Sequence, residues 1–336
     1  IYEGRWYKNK SMSEVRIVNS ESEIGAGTRG ASLGVSAIKI ASIRQGSDYF
    51  VDRPFIDIIN HNHLIWESRK VEDANAHNID GLIELYEDFC LKFQDIYSEG
   101  DFPIVLAGDH SSAAGTISGI RASYPEKRLG VIWVDAHADL HSPFTTPTGN
   151  VHGMPLAVCL NEDNLDNKKN DVSDHSKAKW EKLKSVAGIV PKINAEDLVY
   201  IGLRDTEKQE DDLIAKHTMK QISVSELRDK GITSIVDETL EYLDACDIIY
   251  ISFDVDSMDC NLVSHGTGTP VINGFSEAEV TELLVELAKS PKLCCFEVTE
   301  INPTLDEKTN TMADTAFRVL NQVTHVIESK FETVRI

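Results

Sequence analysis

The chain has 336 residues, 41% apolar and 26% charged, an ordinary globular composition with length for a sizeable buried core. Acidic residues outnumber Lys plus Arg by 55 to 33, a formal charge of −22, and no basic cluster interrupts that excess. Phosphate backbones are bound by clustered Lys and Arg, so no nucleic acid and no membrane surface is expected as partner, whereas a small cation or metal ions are compatible.

The first dozen residues carry charges and lack the apolar stretch of an export signal. Met12-Ser-Glu reads as a natural start, which makes residues 1–11 an added remnant or a disordered N-terminus and leaves one expected domain over 12–336. Short, β-branched apolar runs follow at 15–18, 55–59, 104–106, 129–134, 198–203, 221–224, 248–253 and 293–298. Several are apolar on both faces, as strands covered by helices on both sides require. Amphipathic helical patterns occupy 81–97, 232–245 and 277–288 between them, and Ser276 with Glu279 forms a capping box before the last. This alternation predicts an α/β fold: a doubly wound, mostly parallel eight-stranded sheet with helices on both faces. The polar segment 161–184 reads as a partly mobile surface excursion. No apolar run reaches the roughly 18 residues that a membrane-spanning helix needs. Six cysteines (Cys90, Cys159, Cys246, Cys260, Cys294, Cys295) form no CxxC pair and are expected as reduced thiols in the cytoplasm.

Three polar segments each follow a predicted strand: Gly108-Asp-His110-Ser, Asp135-Ala-His137-Ala-Asp139 and Ser252-Phe-Asp254-Val-Asp256. Ligands of open α/β sheets gather beyond the carboxyl ends of the strands, so the three tips are expected to converge. Asp135, His137 and Asp139 stand at i, i+2 and i+4, positions that share one side of an extended chain but not of a helix. A lone Asp-x-Asp is more often a turn or helix cap, and a lone His a satisfied loop residue. Six such residues at three strand ends need a compensating charge instead, because charged side chains are rarely buried unpaired. Four carboxylates and two imidazoles exceed one tetrahedral site, so two ions sharing bridging carboxylates are expected. A donor set rich in carboxylate, with imidazole and no thiolate, points to two Mn2+ ions, with zinc left open.

These three segments resemble the metal-binding signatures of the ureohydrolases, the family of arginase, agmatinase and formimidoylglutamase, and the likeness runs from about Gly25 onward. The resemblance implies that His110, Asp135, Asp139 and Asp254 hold the first ion. It likewise implies that His137, Asp135, Asp254 and Asp256 hold the second. The stretch from Asp139 to Pro155 is similar to the arginase loop, which implies L-arginine as substrate, hydrolysed to L-ornithine and urea by a metal-bridging hydroxide attacking the guanidinium carbon. By the same resemblance Thr148 and Asn150 contact the amino-acid end, His152 shuttles a proton to the leaving amine, and Asp139 accepts a hydrogen bond from the nucleophile. Glu300 holds the guanidinium and Thr269 stands beside that pocket. Homo-oligomers, trimers or hexamers, are also implied.

The sequence departs from the family pattern at the amino-acid end of the pocket. His141 replaces an Asn, Thr148 a Ser and Glu207 an Asp, and the stretch from Asp256 to Thr269 is one residue longer than in animal arginases. Agmatinase or another guanidino-acid hydrolase is the alternative within the same chemistry, although agmatine has no carboxylate for the Thr148-Gly149-Asn150 loop. Formimidoylglutamase is a further alternative. Of another class would be a catalytically silent binding or regulatory subunit, which the full set of candidate residues does not call for. The bridging Asp pattern disfavours a single-zinc deacetylase. His61 and His63 lack a third ligand nearby in sequence and read as loop residues lining the crevice.

Overall fold

Alternating apolar runs and amphipathic segments settle into strands and helices that the computed structural model describes for residues 14–67, 73–307 and 309–333. The expectation about residues 1–11 lies outside those described. The strands are β1 (Val15–Ser20), β2 (Phe55–Asp57), β3 (Phe102–Ala107), β4 (Leu129–Val134), β5 (Leu198–Ile201), β6 (Lys220–Ile222), β7 (Ile248–Asp254) and β8 (Leu293–Thr299). They form one sheet in the order β2-β1-β3-β8-β7-β4-β5-β6, and every neighbouring pair is parallel.

Each predicted run overlaps a strand, and three strands stop earlier than expected: β2 at Asp57, and two more for evident local reasons. Run 198–203 ends at Ile201 because Gly202, at φ 98°, turns the chain. Run 221–224 ends at Ile222 because the Ser223 side chain accepts the Glu226 N–H and caps a helix.

The helices are α1 (Gly34–Arg44), α2 (Ile79–Glu99), α3 (Ser112–Ser123), α4 (Pro155–Leu160) and α5 (Asp174–Ser185), followed by α6 (Lys208–His217), α7 (Val224–Lys230), α8 (Ile232–Tyr242), α9 (Glu277–Ala288) and α10 (Thr311–Thr333). They divide between the two sheet faces. Ile17, Ile104, Ile132, Ile251 and Phe296 pack with α1, α8, α9 and α10 on one side. Val18, Val105, Trp133 and Tyr250 pack with α2, α3, α4 and α5 on the other. This is the three-layer α/β/α architecture, with strands buried on both faces as parallel sheets require.

The segment 161–184 is a correction. Much of it is α5, anchored by Trp180 and Leu183, both fully buried. Trp180 Nε1–H and Lys184 Nζ both donate to Asp163 Oδ1, at 2.8 and 2.7 Å. Two large apolar residues three apart dock a helix whose other positions are polar apart from Ala178, so the segment's overall polarity misleads.

Candidate metal centre and substrate cavity

Four adjacent strands, β3, β8, β7 and β4, end on the same sheet edge. At the end of β3, Gly108 leaves no room for a side chain, since a Cβ would lie 2.1 Å from the Ser22 carbonyl oxygen. Its N–H donates to Ser20 O at 2.8 Å, and its carbonyl accepts the Glu300 N–H at 2.9 Å, tying β1, β3 and β8 together. Asp109 Oδ2 accepts the N–H groups of Gly25 at 2.8 Å and Ala26 at 3.2 Å, which draws the loop after β1 over the edge.

His110 follows, 1% exposed, with Nδ1 3.0 Å from Asp135 Oδ2, 3.1 Å from Asp139 Oδ2 and 3.1 Å from Asp254 Oδ2. Its ring lies on Trp133, centroids 4.1 Å apart and planes 7° from parallel. Nε2 sits 2.7 Å from Ser252 Oγ; a ring proton donated there would leave the Nδ1 lone pair for an ion. His137 Nδ1 stands 3.0 Å from Asp256 Oδ2 and 3.5 Å from Asp135 Oδ1.

Two clusters of potential ligand atoms result, one from His110, Asp135 and Asp139, the other from Asp135, His137 and Asp256. They share Asp135. His110 Nδ1 and Asp135 Oδ2 are buried without a hydrogen-bond partner although only 3.0 Å apart. An unsatisfied buried polar atom costs about 1–3 kcal/mol, and a cation between these acceptors removes that cost. Imidazole nitrogen and carboxylate oxygen with no thiolate suit Mn2+, so the residues fit two such ions.

The titration pattern has the same origin. Burial opposes charge on His110, yet Asp135, Asp139 and Asp254 hold it well above the usual histidine range. Burial opposes charge on His137 too, and Asp256 and Asp135 raise it. Burial and then Asp135 push Asp139 up to about 7. Protons stand in here for positive charge that the carboxylates require.

The same-side placement of Asp135, His137 and Asp139 does not arise from an extended strand. β4 ends at Val134, and the following residues bend away, with Asp139 at φ 52°. Asp254 is the last residue of β7, whereas Asp256 lies in a single 3-10 turn, Val255–Ser257, whose start the Asp254 side chain caps. Glu300 is likewise left-handed at φ 66°. Such conformations cost non-glycine residues of order 1–3 kcal/mol and persist where surrounding contacts over-determine them.

Glu300 Oε1 accepts the His110 N–H at 2.9 Å and lies 3.1 Å from His152 Nδ1. Burial works against charge on His152, but the Glu300 carboxylate beside it raises its pKa to about 9. Thr269 Oγ1 donates to Asp256 Oδ2 at 2.9 Å.

These groups surround a cavity of about 180 Å3, the scale of a small metabolite. Its lining takes in every candidate residue except Asp135, Thr148 and Asn150. Asp135 lies beneath, 1% exposed. Thr148 Oγ1 turns back to accept the Asn150 N–H at 3.1 Å, and the Asn150 side chain packs over Gly27. His61 and His63 are not on the wall either; they lie in or beside the 3-10 helix Asn62–Trp66, with His61 Nε2 3.2 Å from Glu84.

Sequence reasoning missed Asp205, Thr206 and Glu210, which also line the cavity. Glu207 and Glu210 form a reciprocal capping box at the start of α6, and this Glu-x-x-Glu spacing is the signal that could have found Glu210. His141 Nε2 stands 3.8 Å from Glu207 and 3.7 Å from Glu210. Arg204 was missed as well. Its guanidinium donates to the carbonyls of Gly202, Asp256, Met258, Val271 and Ile272, clamping the loop after β5 to the segment that carries Asp256 and Thr269.

Comparison with known proteins agrees with this geometry. The chain is 35% identical over 320 residues to arginase from Brevibacillus brevis, covering 94% of this chain and 98% of that one. It is 34% identical over 300 residues to arginase from Bacillus subtilis, covering 88% and 93%. The solved structure of Bacillus caldovelox arginase superposes with a TM-score of 0.77 at 30% identity, over 93% of this chain and 98% of that one. The sequence pattern of the arginase family matches residues 13–325, starting ahead of Gly25, and the chain belongs to that family.

Proposed function

We propose that this chain hydrolyses L-arginine to L-ornithine and urea at the cavity over β3, β8, β7 and β4. The observation that carries the reading is the pair of His/Asp clusters sharing Asp135 at the cavity that Glu300 and His152 also line. His110, Asp135, Asp139 and Asp254 would hold one Mn2+, and His137, Asp135, Asp254 and Asp256 the other. Bound there, the two ions lower the pKa of a water and supply Lewis acidity.

The chain's own groups divide the remaining work. Glu300 has one oxygen committed to His110 N–H and His152, and its Oε2 remains for a guanidinium, beside Gly268. Fixing the planar cation there removes much of the entropic cost of encounter. Asp139 orients the nucleophile by accepting its hydrogen bond. His152, with Nδ1–H on Glu300, keeps Nε2 for proton transfer to the leaving amine. His141, Glu207 and Thr269 take the remainder of the substrate wall, with Thr148 and Asn150 on the loop above.

Urea release by manganese-loaded protein offered L-arginine, agmatine and 4-guanidinobutyrate side by side tests this. Arginine is expected to dominate. Preference for agmatine would move the substrate to one without a carboxylate, consistent with Thr148 and Asn150 lying off the cavity wall. No urea from any of the three, with two ions bound, would sink the reading.

We also propose a homo-oligomer, trimeric or hexameric, in the cytoplasm. Six free cysteines support that compartment, and light scattering reads the assembly. Among the described residues no helix is long and apolar enough to cross a membrane.

A further inference from the structure

Beneath the site, the sheet face that packs on α2 and α3 carries polar groups where apolar ones are the rule. Parallel register sets Glu297 of β8 beside Ser252 of β7, and Ser252 beside Trp133 of β4. Tyr250, two residues before Ser252, shares that face. All four residues are fully buried. Glu297 Oε2 accepts the Tyr250 hydroxyl at 2.8 Å and the Thr116 hydroxyl at 2.6 Å, while its Oε1 has no partner. Ser252, on the same face two residues from Tyr250 and in register beside Glu297, has its Oγ 2.7 Å from His110 Nε2.

A buried carboxyl with one oxygen unsatisfied is a poor way to stabilise a core, since burial without full pairing costs free energy. Leu or Met would fill the same volume without that cost. The hydroxyls give the group a direction. A terminal acceptor at Glu297 fixes the direction of the Tyr250 hydroxyl beside Ser252. With Ser252 Oγ aligned to accept, His110 donates from Nε2. The lone pair is left on Nδ1, the atom that meets Asp135, Asp139 and Asp254.

We propose that Glu297 is a positioning residue for the metal centre: through Tyr250 and Ser252 it fixes the tautomer and orientation of His110, so that Nδ1 is presented to the ion. The inference rests on the two-metal reading above. It assigns Glu297 no contact with substrate. Outer groups that hold a ligating histidine typically change metal affinity by about 10–100-fold when removed.

Manganese titration of metal-free protein, followed by electron paramagnetic resonance, tests it on wild type, Glu297→Gln and Tyr250→Phe. Wild type is expected to bind two ions. In each variant one of the two sites should weaken by about 10–100-fold, with melting temperature within a few degrees of wild type and kcat restored by excess manganese. Tyr250→Phe removes a single oxygen and keeps the ring packed, so it reports on the relay even if Glu297→Gln folds poorly. Wild-type manganese affinities in Tyr250→Phe would overturn the relay, as would a lowered melting temperature with unchanged affinities in both variants. Wild-type protein that binds no manganese would overturn the two-metal reading and this inference together.

Discussion

The two ends of the cavity are built differently. At the metal end, His110, Asp135, Asp254, Asp256 and Glu300 are each at most 2% exposed and sit at or just beyond the tips of β3, β4, β7 and β8. At the other end, Glu207 and Asp205 come from the loop after β5, with side chains 46% and 64% exposed. The metal end is held by sheet register and by contacts that cross the whole chain, and displacing any member disturbs packed strands. At the outer end His141 stands beyond hydrogen-bond length from both Glu207 and the α6 residue Glu210. The metal end is thus the part built into the sheet, and the outer end the part carried by the segments after β4 and β5. Of the departures from the family pattern, His141 and Glu207 fall on the second end, whereas Thr148 lies off the cavity wall.

This contrast can be broken by substitution. Asp254→Asn should reduce urea formation to background and lower bound manganese below two ions per chain, read by elemental analysis; full occupancy with near-normal turnover would contradict the shared-ligand assignment. His152→Asn should lower kcat by roughly 10²–10⁴-fold with KM little changed, the range for loss of a general acid. Unaltered turnover across the pH range would remove the shuttle role. Glu207→Gln is expected to act mainly on KM for arginine, by about tenfold, or roughly 1.4 kcal/mol, with kcat nearly constant. A collapse of kcat there would mean that the outer end takes part in the chemical step as well.

The smallest effect concerns pH. His152 in the folded, metal-free protein is raised from 6.5 to about 9 against burial by Glu300, so its contribution to stability is present in full below pH 6.5 and is lost as pH rises through about 9. Denaturant titrations of metal-free wild type and His152→Asn at both ends of that window should show the wild type losing more stability toward alkaline pH. Parallel losses would dissociate His152 from Glu300.

The metal end was also the part legible in sequence, because its residues recur at fixed short spacings after apolar runs. Asp135, His137 and Asp139 announce themselves this way, even though the backbone that unites them is bent at Asp139 and not extended. The strands were legible for a similar reason, as compact β-branched runs. Helix α5 was not, since Trp180 and Leu183 dock an otherwise polar segment. Arg204 and Glu297 carry no local signal either. Arg204 acquires its role from carbonyls as far as residue 272, and Glu297 from hydroxyls at 116 and 250. Only the crossing of strands makes them neighbours.

The bond from His110 N–H to Glu300 spans 190 residues. For a chain emerging from the ribosome, it means that everything through β4 can be synthesised while Asp254, Asp256 and Glu300 do not yet exist. A nascent or prematurely terminated chain lacking β7 and β8 thus carries part of the ligand set and neither the partner aspartates nor the carboxylate proposed to grip the guanidinium. One cluster, His110 with Asp135 and Asp139, is complete in sequence before β7, whereas the second awaits Asp256 and the substrate wall awaits Glu300, so the two halves of the site are finished at different times.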